Sequence, residues 1–307
     1  MEKICHITQG IGGEFTIVKK ISSFMKLHKI ASTILSFKDK KTKKYVCLKT
    51  ILDEDIITLE DLRKIKKETN EQGIIFYHYI FNYSSILIMF YLKIFCDKKI
   101  IGVFHTLIEG MPKDYAHKIY YFIRRFFIIN LITLVTHNLV FVTKSEKGKF
   151  FKLIFFKKKF KKKSVIINNF IDKKDIIRKK KKYNNNILFV GRYEKLKGFP
   201  DLIEVSGDIK KVNFNFIGGK KINIKQKNII NYGKIENNKI LKYYDKNSIF
   251  ILPSYTEVFP ITVLEAMSRG LVILVSDIPG MREIVKEGRN GYLFPPGDTE
   301  KMKELIL

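Results

Sequence analysis

Two glutamates, Glu257 and Glu265, bracket the run Val258-Phe259-Pro260-Ile261-Thr262-Val263-Leu264. A strand ending at Leu252 and a helix beginning near Thr262 and closing at Gly270 would place this run in a loop and first helical turn, glycine suiting a helix C-terminus. Such a loop lies at the carboxyl end of a parallel strand, where open α/β sheets bind ligands. Unpaired backbone N–H groups around Phe259, Ile261 and Val263, reinforced by the helix dipole, would accept a diphosphate. Glu257 precedes that pocket and Glu265 lies about one turn into the helix, so the two carboxylates can hydrogen-bond different hydroxyl-bearing parts of one ligand. Taken alone, such a pair is more often a loop acid and a solvated helix acid, so the assignment needs support from elsewhere in the chain.

A second cluster follows the apolar run 187–190: Gly191-Arg192-Tyr193-Glu194-Lys195-Leu196-Lys197-Gly198. Arg192 offers a planar fork of donors and Lys197 a compact charge, a pairing suited to a diphosphate whose negative charge grows as it departs. Basic residues in a turn are usually only solvated, so these two gain weight from the glutamates rather than from themselves.

The elements needed to carry these groups can be read from hydrophobic periodicity. Strands are expected over 4–8, 30–37, 74–79, 100–105 and 139–143, with helices over 15–27, 83–95 and 116–134 and with Gly10, Gly12 and Gly13 filling the first turn. A basic, low-complexity stretch around 157–163, a short apolar strand at 165–167 and a second basic run at 178–182 break the pattern. Strands over 187–190, 213–217, 249–252 and 272–276, with helices over 200–206, 237–245 and 262–269, then resume it. Strands alternating with helices imply parallel, doubly wound sheets. The expected class is α/β, with two Rossmann-like domains, 1–178 and 179–307, facing a central cleft in which a ligand would sit.

Composition agrees with two packed cores: of 307 residues, 46% are hydrophobic, with 25 Phe and 15 Tyr. Cys5, Cys47 and Cys96 are too far apart in sequence for a metal-ligand spacing, which points to a reducing compartment and no structural zinc site. Neither a signal peptide nor a spanning helix is legible, so a cytoplasmic location is expected. The net charge of +28 calls for an anionic partner or a compositional bias toward Lys, Ile and Asn. Residues 144–182 hold 17 Lys and Arg against 3 Asp and Glu, a difference of +14, half of the total. The cluster 157–163, interleaved with Phe150, Phe151, Phe155, Phe156 and Phe160, suits the inner face of an anionic membrane, unless those phenylalanines belong to the core.

Together the motifs resemble those of the family 4 (group 1) retaining glycosyltransferases of the GT-B fold. The resemblance is carried by Gly191-Arg192 to Lys197-Gly198, Phe216-Ile217-Gly218-Gly219, Glu257 to Glu265, Asp277-Ile278-Pro279-Gly280 and Asn290-Gly291 to Pro295, in order. It extends more weakly to Gly12-Gly13, Phe104-His105-Thr106 and 165–172, where Asn169 and Asp172 match. It implies a nucleoside-diphosphate sugar donor, a glycan or lipid-linked acceptor, retention of configuration, and neither metal nor cofactor. Arg192 and Lys197 would hold the diphosphate, Glu257 the transferred sugar and Glu265 the ribose. Phe259, Pro260 and Ile261 would line the site through their backbone, Gly12 and Gly13 would approach the phosphate, and His105 would face the sugar's reacting side. Pro260 stands where the family commonly has glycine, and Asn168-Asn169-Phe170 replaces the more usual Pro-Asn-Gly. Relatives generally continue past the position of Leu307 with further helices.

Two other classes compete. A dinucleotide-dependent oxidoreductase would need a third fingerprint glycine where Phe15 stands. A basic nucleic-acid-binding α/β protein would explain the charge and leave Glu257 and Glu265 without a role, so no nucleic-acid partner is expected.

Overall fold

The computed structural model describes residues 3–8, 12–27, 30, 32–36, 46–47, 59–78, 83–105, 115–176, 182–224, 226–236 and 239–307. The chain divides into two compact units, Met1–Asn168 and Asn169–Leu307.

Unit 1 runs β1 (Lys3–Thr8), α1 (Gly12–Leu27), β2 (Ser32–Ser36), β3 (Val46–Cys47), α2 (Leu59–Thr69), β4 (Gln72–His78), α3 (Tyr83–Ile94), β5 (Lys99–Phe104), α4 (Tyr115–Val135), β6 (Asn138–Phe141), α5 (Lys144–Leu153), α6 (Lys157–Lys161) and β7 (Ser164–Ile166). Its strands form one parallel sheet in the order β3-β2-β1-β4-β5-β6-β7. Unit 2 runs β8 (Asn186–Val190), α7 (Phe199–Asp208), β9 (Asn213–Ile217), β10 (Ile229–Gly233), α8 (Leu241–Lys246), β11 (Ile249–Leu252), α9 (Ile261–Ser268), β12 (Val272–Ser276), α10 (Pro279–Arg282), β13 (Tyr292–Phe294) and α11 (Thr299–Ile306). Its sheet is parallel too, in the order β10-β9-β8-β11-β12-β13. Each order reverses direction at one place, between β1 and β4 and between β8 and β11, as in a doubly wound sheet.

The central strands of unit 2 are near-continuous apolar runs, the pattern of parallel strands covered on both faces. Ile187, Leu188 and Phe189 of β8 and Phe250 and Ile251 of β11 are fully or almost fully buried, alongside Phe214, Phe216 and Phe294. In unit 1, Phe104 stacks on Phe141 at 5.0 Å between ring centroids, and Phe150 packs edge-on to Phe104 at 4.8 Å.

Four expectations need adjustment. Gly12 and Gly13, read as turn residues, open α1 instead, and Gly10 lies outside the described residues. The helix expected over 237–245 is observed as Leu241–Lys246, with 237 and 238 outside the described residues. The units divide after Asn168, earlier than 178/179, because the segment that follows is tied to unit 2. Asn169 Nδ2 donates to the Phe259 carbonyl at 2.8 Å and Arg269 Nη1 to the Asp175 carbonyl at 3.0 Å. Finally, Phe150 and Phe160 are fully buried whereas Phe155 and Phe156 are exposed. Withdrawing a buried phenylalanine would forfeit about 1.5–3 kcal/mol, so only the second pair is available to a surface partner.

Candidate functional site

The carboxyl ends of β8 and β11, the strands at which the unit 2 sheet reverses, carry the clustered side chains. After β8 the chain passes Gly191 and Arg192, forms a 3-10 turn over Lys195–Lys197 and enters α7 through Gly198. After β11 it passes Pro253 to Phe259 and enters α9 through Pro260. Tyr255 N–H donates to the Leu196 carbonyl at 3.0 Å, which laces the two loops together. Gly198 adopts a left-handed φ of 64°, and a Cβ there would fall inside the Pro253 carbonyl. No other residue fits that turn without moving the β11 loop.

The lacing brings Lys197 onto Glu257. Its Nζ donates to Glu257 Oε1 at 2.5 Å, and Ser254 Oγ donates to the same oxygen at 3.1 Å. Both partners are largely shielded, with side-chain exposures of 21% and 12%, so the pair is worth more than a surface contact. The Glu257 backbone is fixed from behind: a Cβ on Gly280, in α10, would overlap the carbonyls of Glu257 and Val258. From the other side, Asn169 holds the Phe259 carbonyl.

Pro260 is the N-cap of α9, with φ −68° and ψ 126°, and supplies no side-chain cap. That leaves the end of the helix suited to an anion, which completes its N–H groups and meets the positive end of its dipole. Ile261 is buried in the first turn, Phe259 is half-buried, and both contribute backbone rather than reactive groups. Glu265, on the next turn, accepts from Tyr244 Oη at 3.0 Å through Oε2. Burial, followed by the Glu265 charge, raises the Tyr244 phenol well above its ordinary range, so it remains a donor. Arg192 is exposed and pairs with Glu194 at 3.0 Å, leaving it on the surface of the same edge.

Tyr193, Tyr244, Asn169 and Gly280 carry parts of this site that the sequence reading gave no role. Tyr193 stacks on Phe199 at 4.1 Å and donates to Asn231 Oδ1 at 2.9 Å, pinning the loop between Arg192 and Lys197. Burial pushes its phenol up to about 12. Gly280 stands in a motif already noted, yet its packing on Glu257 depends on a contact distant in sequence.

In unit 1, Gly12 and Gly13 begin the helix that follows β1, and His105 immediately follows β5. His105 belongs to a row of imidazoles across three adjacent strands. His6 Nδ1 lies 3.0 Å from His78 Nε2, and His78 Nδ1 lies 3.0 Å from His105 Nε2. Burial lowers His6 and His105 to about 4 and His78 well below the usual imidazole range, so all three are neutral near pH 7. Neutral rings each donate once, which makes His78 donate to one neighbour and accept from the other. His6 Nε2 is buried and lacks a partner among the described residues. Leaving an acceptor unpaired is less unfavourable than leaving an N–H unpaired, so donation runs from His6 to His78 to His105, whose proton then resides on Nδ1.

Residues 170–307 match the family model described as "Glycosyl transferases group 1". An uncharacterized 41.2 kDa protein in the cps region of Klebsiella pneumoniae is 30% identical over 126 residues, 39% of this chain and 35% of the relative. The chain thus covers about a third of that relative's length. Sucrose-phosphate synthase from Thermosynechococcus elongatus has a similar fold, with a TM-score of 0.78, 15% identity, and coverage of 100% of this chain and 89% of that one. Anabaena HepE, crystallised with UDP and glucose, superposes with a TM-score of 0.73 at 13% identity over 100% and 89% of the two chains. The fold of two parallel-sheet α/β domains is that of the GT-B glycosyltransferases.

Proposed function

We propose that the chain is a retaining glycosyltransferase moving a sugar from a nucleoside-diphosphate sugar to a glycan or lipid-linked acceptor, in the assembly of cell-surface polysaccharide, lipopolysaccharide or glycolipid. The observation that carries this reading is the contact of Lys197 with Glu257 at the edge where β8 and β11 diverge. A cation and a carboxylate at one point suit a ligand that presents phosphate beside hydroxyl groups. The likeness to a glycosyltransferase family model over 170–307 supports the same reading and disfavours a nucleic-acid-binding protein.

In this proposal Lys197, Arg192 and the N-terminus of α9 stabilise the nucleoside diphosphate as the bond from its oxygen to the anomeric carbon breaks. These cations and N–H groups replace the charge that a metal would bring, and no cofactor is invoked. Glu257 accepts from hydroxyls of the transferred sugar, while Glu265, oriented by Tyr244, accepts from the ribose. The Phe259, Pro260 and Ile261 backbone lines the pocket. Gly12 and Gly13 approach the phosphate, and His105 offers its Nδ1–H toward the reacting side of the sugar. The acceptor hydroxyl attacks on the face that the diphosphate leaves and passes its proton to the departing diphosphate oxygen, giving retention. The protein works in the cytoplasm, at the inner face of an anionic membrane.

Thermal unfolding with a panel of nucleoside diphosphates and their sugars tests the reading. A ligand at 100 times its dissociation constant stabilises the folded state by about 2.7 kcal/mol, a clear rise in midpoint. One base should stand out, with both its diphosphate and a sugar derivative. A flat response to every member would contradict the assignment.

A further inference from the structure

We propose that the outer stripe of α4, with Phe155, Phe156 and the lysines around α6, is a docking face for an anionic lipid bilayer. It rests on the membrane part of the functional reading and gives that part a place in unit 1. On one side of α4, Ile128, Ile129, Ile132 and Val135 are buried in the core. On the other side Ile123, Phe127, Leu131 and Leu134 are exposed, Phe127 by 62% and Leu134 by 53%. Their spacing puts them on one stripe of the helix, where a helix packed only against its own domain carries polar residues. The adjoining α3 adds Leu87 and Ile94, seven residues apart and both exposed. An apolar face this continuous marks an interaction site.

The aromatic pair and the lysines sit beside that stripe. Asn130 Nδ2 donates to the Leu153 carbonyl at 3.0 Å, and its Oδ1 accepts from Phe155 N–H at 2.8 Å. Phe126 meets Phe155 edge-on at 4.9 Å. Phe127 and Leu131 each lie one position beyond these contacts, about 100° further round the helix. Phe155 is itself 68% exposed. The buried ring of Phe160 anchors α6, leaving Lys157, Lys158, Lys159, Lys161, Lys162 and Lys163 exposed around it.

Charge selects the partner. Between Tyr115 and Ile171 the sequence contains one acid, Glu146, and it is buried. Exposed apolar groups beside cations, with no exposed carboxylate among the described residues of that span, match a surface of anionic headgroups over acyl chains. A nucleic-acid backbone would engage the lysines and gain nothing from Leu131 or Leu134. Among the described residues no helix is long and apolar enough to cross a membrane, so the contact is one of lying on the bilayer.

The sequence contains no tryptophan, which permits single-site reporters. Phe127→Trp, Phe155→Trp and, in unit 2, Tyr292→Trp would be mixed with vesicles of phosphatidylcholine alone or with phosphatidylglycerol. Emission from the first two should shift to the blue only with phosphatidylglycerol present and be quenched by brominated acyl chains, while Tyr292→Trp stays unchanged. Co-sedimentation should fall by about tenfold or more in the double variant Phe127→Ser and Phe155→Ser, and again at high salt or with the six α6-region lysines changed to Gln. Unchanged melting midpoints would exclude misfolding as the cause. Sedimentation without a shift at position 127 would overturn this face while leaving membrane binding intact. Absence of sedimentation, or DNA binding that needs the lysines but neither phenylalanine, would overturn both. Donor binding should be untouched in every variant here, so its loss or absence bears on the transferase reading alone.

Discussion

The six strands of unit 2 and the first six of unit 1 follow one order, yet among the described residues their central strands are tied together in different ways. In unit 2 the loops after β8 and β11 are locked by backbone contacts: Gly198 against Pro253, Gly280 against Glu257 and Val258, and Tyr255 to Leu196. Among the described residues of unit 1, β1, β4 and β5 are joined by side chains, through His6 within β1, His78 at the end of β4 and His105 just after β5. Backbone locking suits a site that must present fixed dipoles and charges to an anion. Linked imidazoles instead fix which nitrogen carries a proton, and their stability depends on pH.

The largest effect should come from breaking the backbone lock. Gly198→Ala combines a left-handed φ of 64° with a clash at the Pro253 carbonyl. It should destabilise unit 2 by roughly 3 kcal/mol or more, read from the shift in denaturant midpoint. Gly270→Ala provides the contrast: its φ is 73°, but the space around its Cβ is open. It should cost only the left-handed strain, about 1–2 kcal/mol. Equal losses in the two variants would contradict tight packing of the β8 and β11 loops.

Next in size is the charge pair. Lys197→Met should leave the shielded Glu257 carboxylate with only Ser254 of its two side-chain donors and destabilise the fold by about 1–3 kcal/mol. Changing Glu257→Gln in the same chain should restore much of this, a coupling that a double-mutant cycle measures. Simple additivity would mean that the contact contributes little.

Acid should separate the two units. His6 and His105 have folded values near 4 against an ordinary 6.5, so the unfolded chain binds more protons between those values. Stability contributed by the neutral imidazoles is therefore lost as pH falls from about 6.5 to about 4, and recovered as it rises. Hydrogen exchange followed over that range should show β1, β4 and β5 opening before β8 and β11. Long-range nitrogen spectra of the imidazoles would report protonation at Nδ1 of His105; protonation at Nε2 would reverse the inferred direction of donation.

A smaller change tests the orientation of Glu265. Tyr244→Phe removes one donor to its carboxylate and should weaken nucleoside diphosphate by about fivefold, the equivalent of one hydrogen bond of about 1 kcal/mol. Glu265→Gln should weaken the free diphosphate as well, whereas Glu257→Gln should act mainly on the intact donor. Identical profiles would remove the division between ribose and sugar.

What was legible in the sequence follows the same contrast. Arg192, Lys197, Glu257 and Glu265 stand in contiguous motifs next to long apolar strands, and periodicity alone placed β8, β11 and α9 to within a residue or two. The strands β3, β10 and β13 escaped: β3 has only two residues, Asn231 and Gly233 break the apolar run of β10, and β13 lies within 290–295, which reads as a motif and not as a strand. Also missed were α2, α5 and α6, the last a five-residue helix made almost wholly of lysine. The histidine row could not be read because its members lie 72 and 27 positions apart. Nor could a sequence distinguish Phe160, turned into the core, from Phe155, turned out of it.

The most direct test is calorimetric titration of the nucleoside diphosphate selected by the thermal panel against wild type, Arg192→Ala and Lys197→Ala. Each substitution removes a cation from the leaving-group site and should weaken binding by about tenfold or more, near 1.4 kcal/mol, with Lys197 the larger because it is the more shielded. Wild-type affinity in both variants would contradict the claim that the edge between β8 and β11 holds the diphosphate.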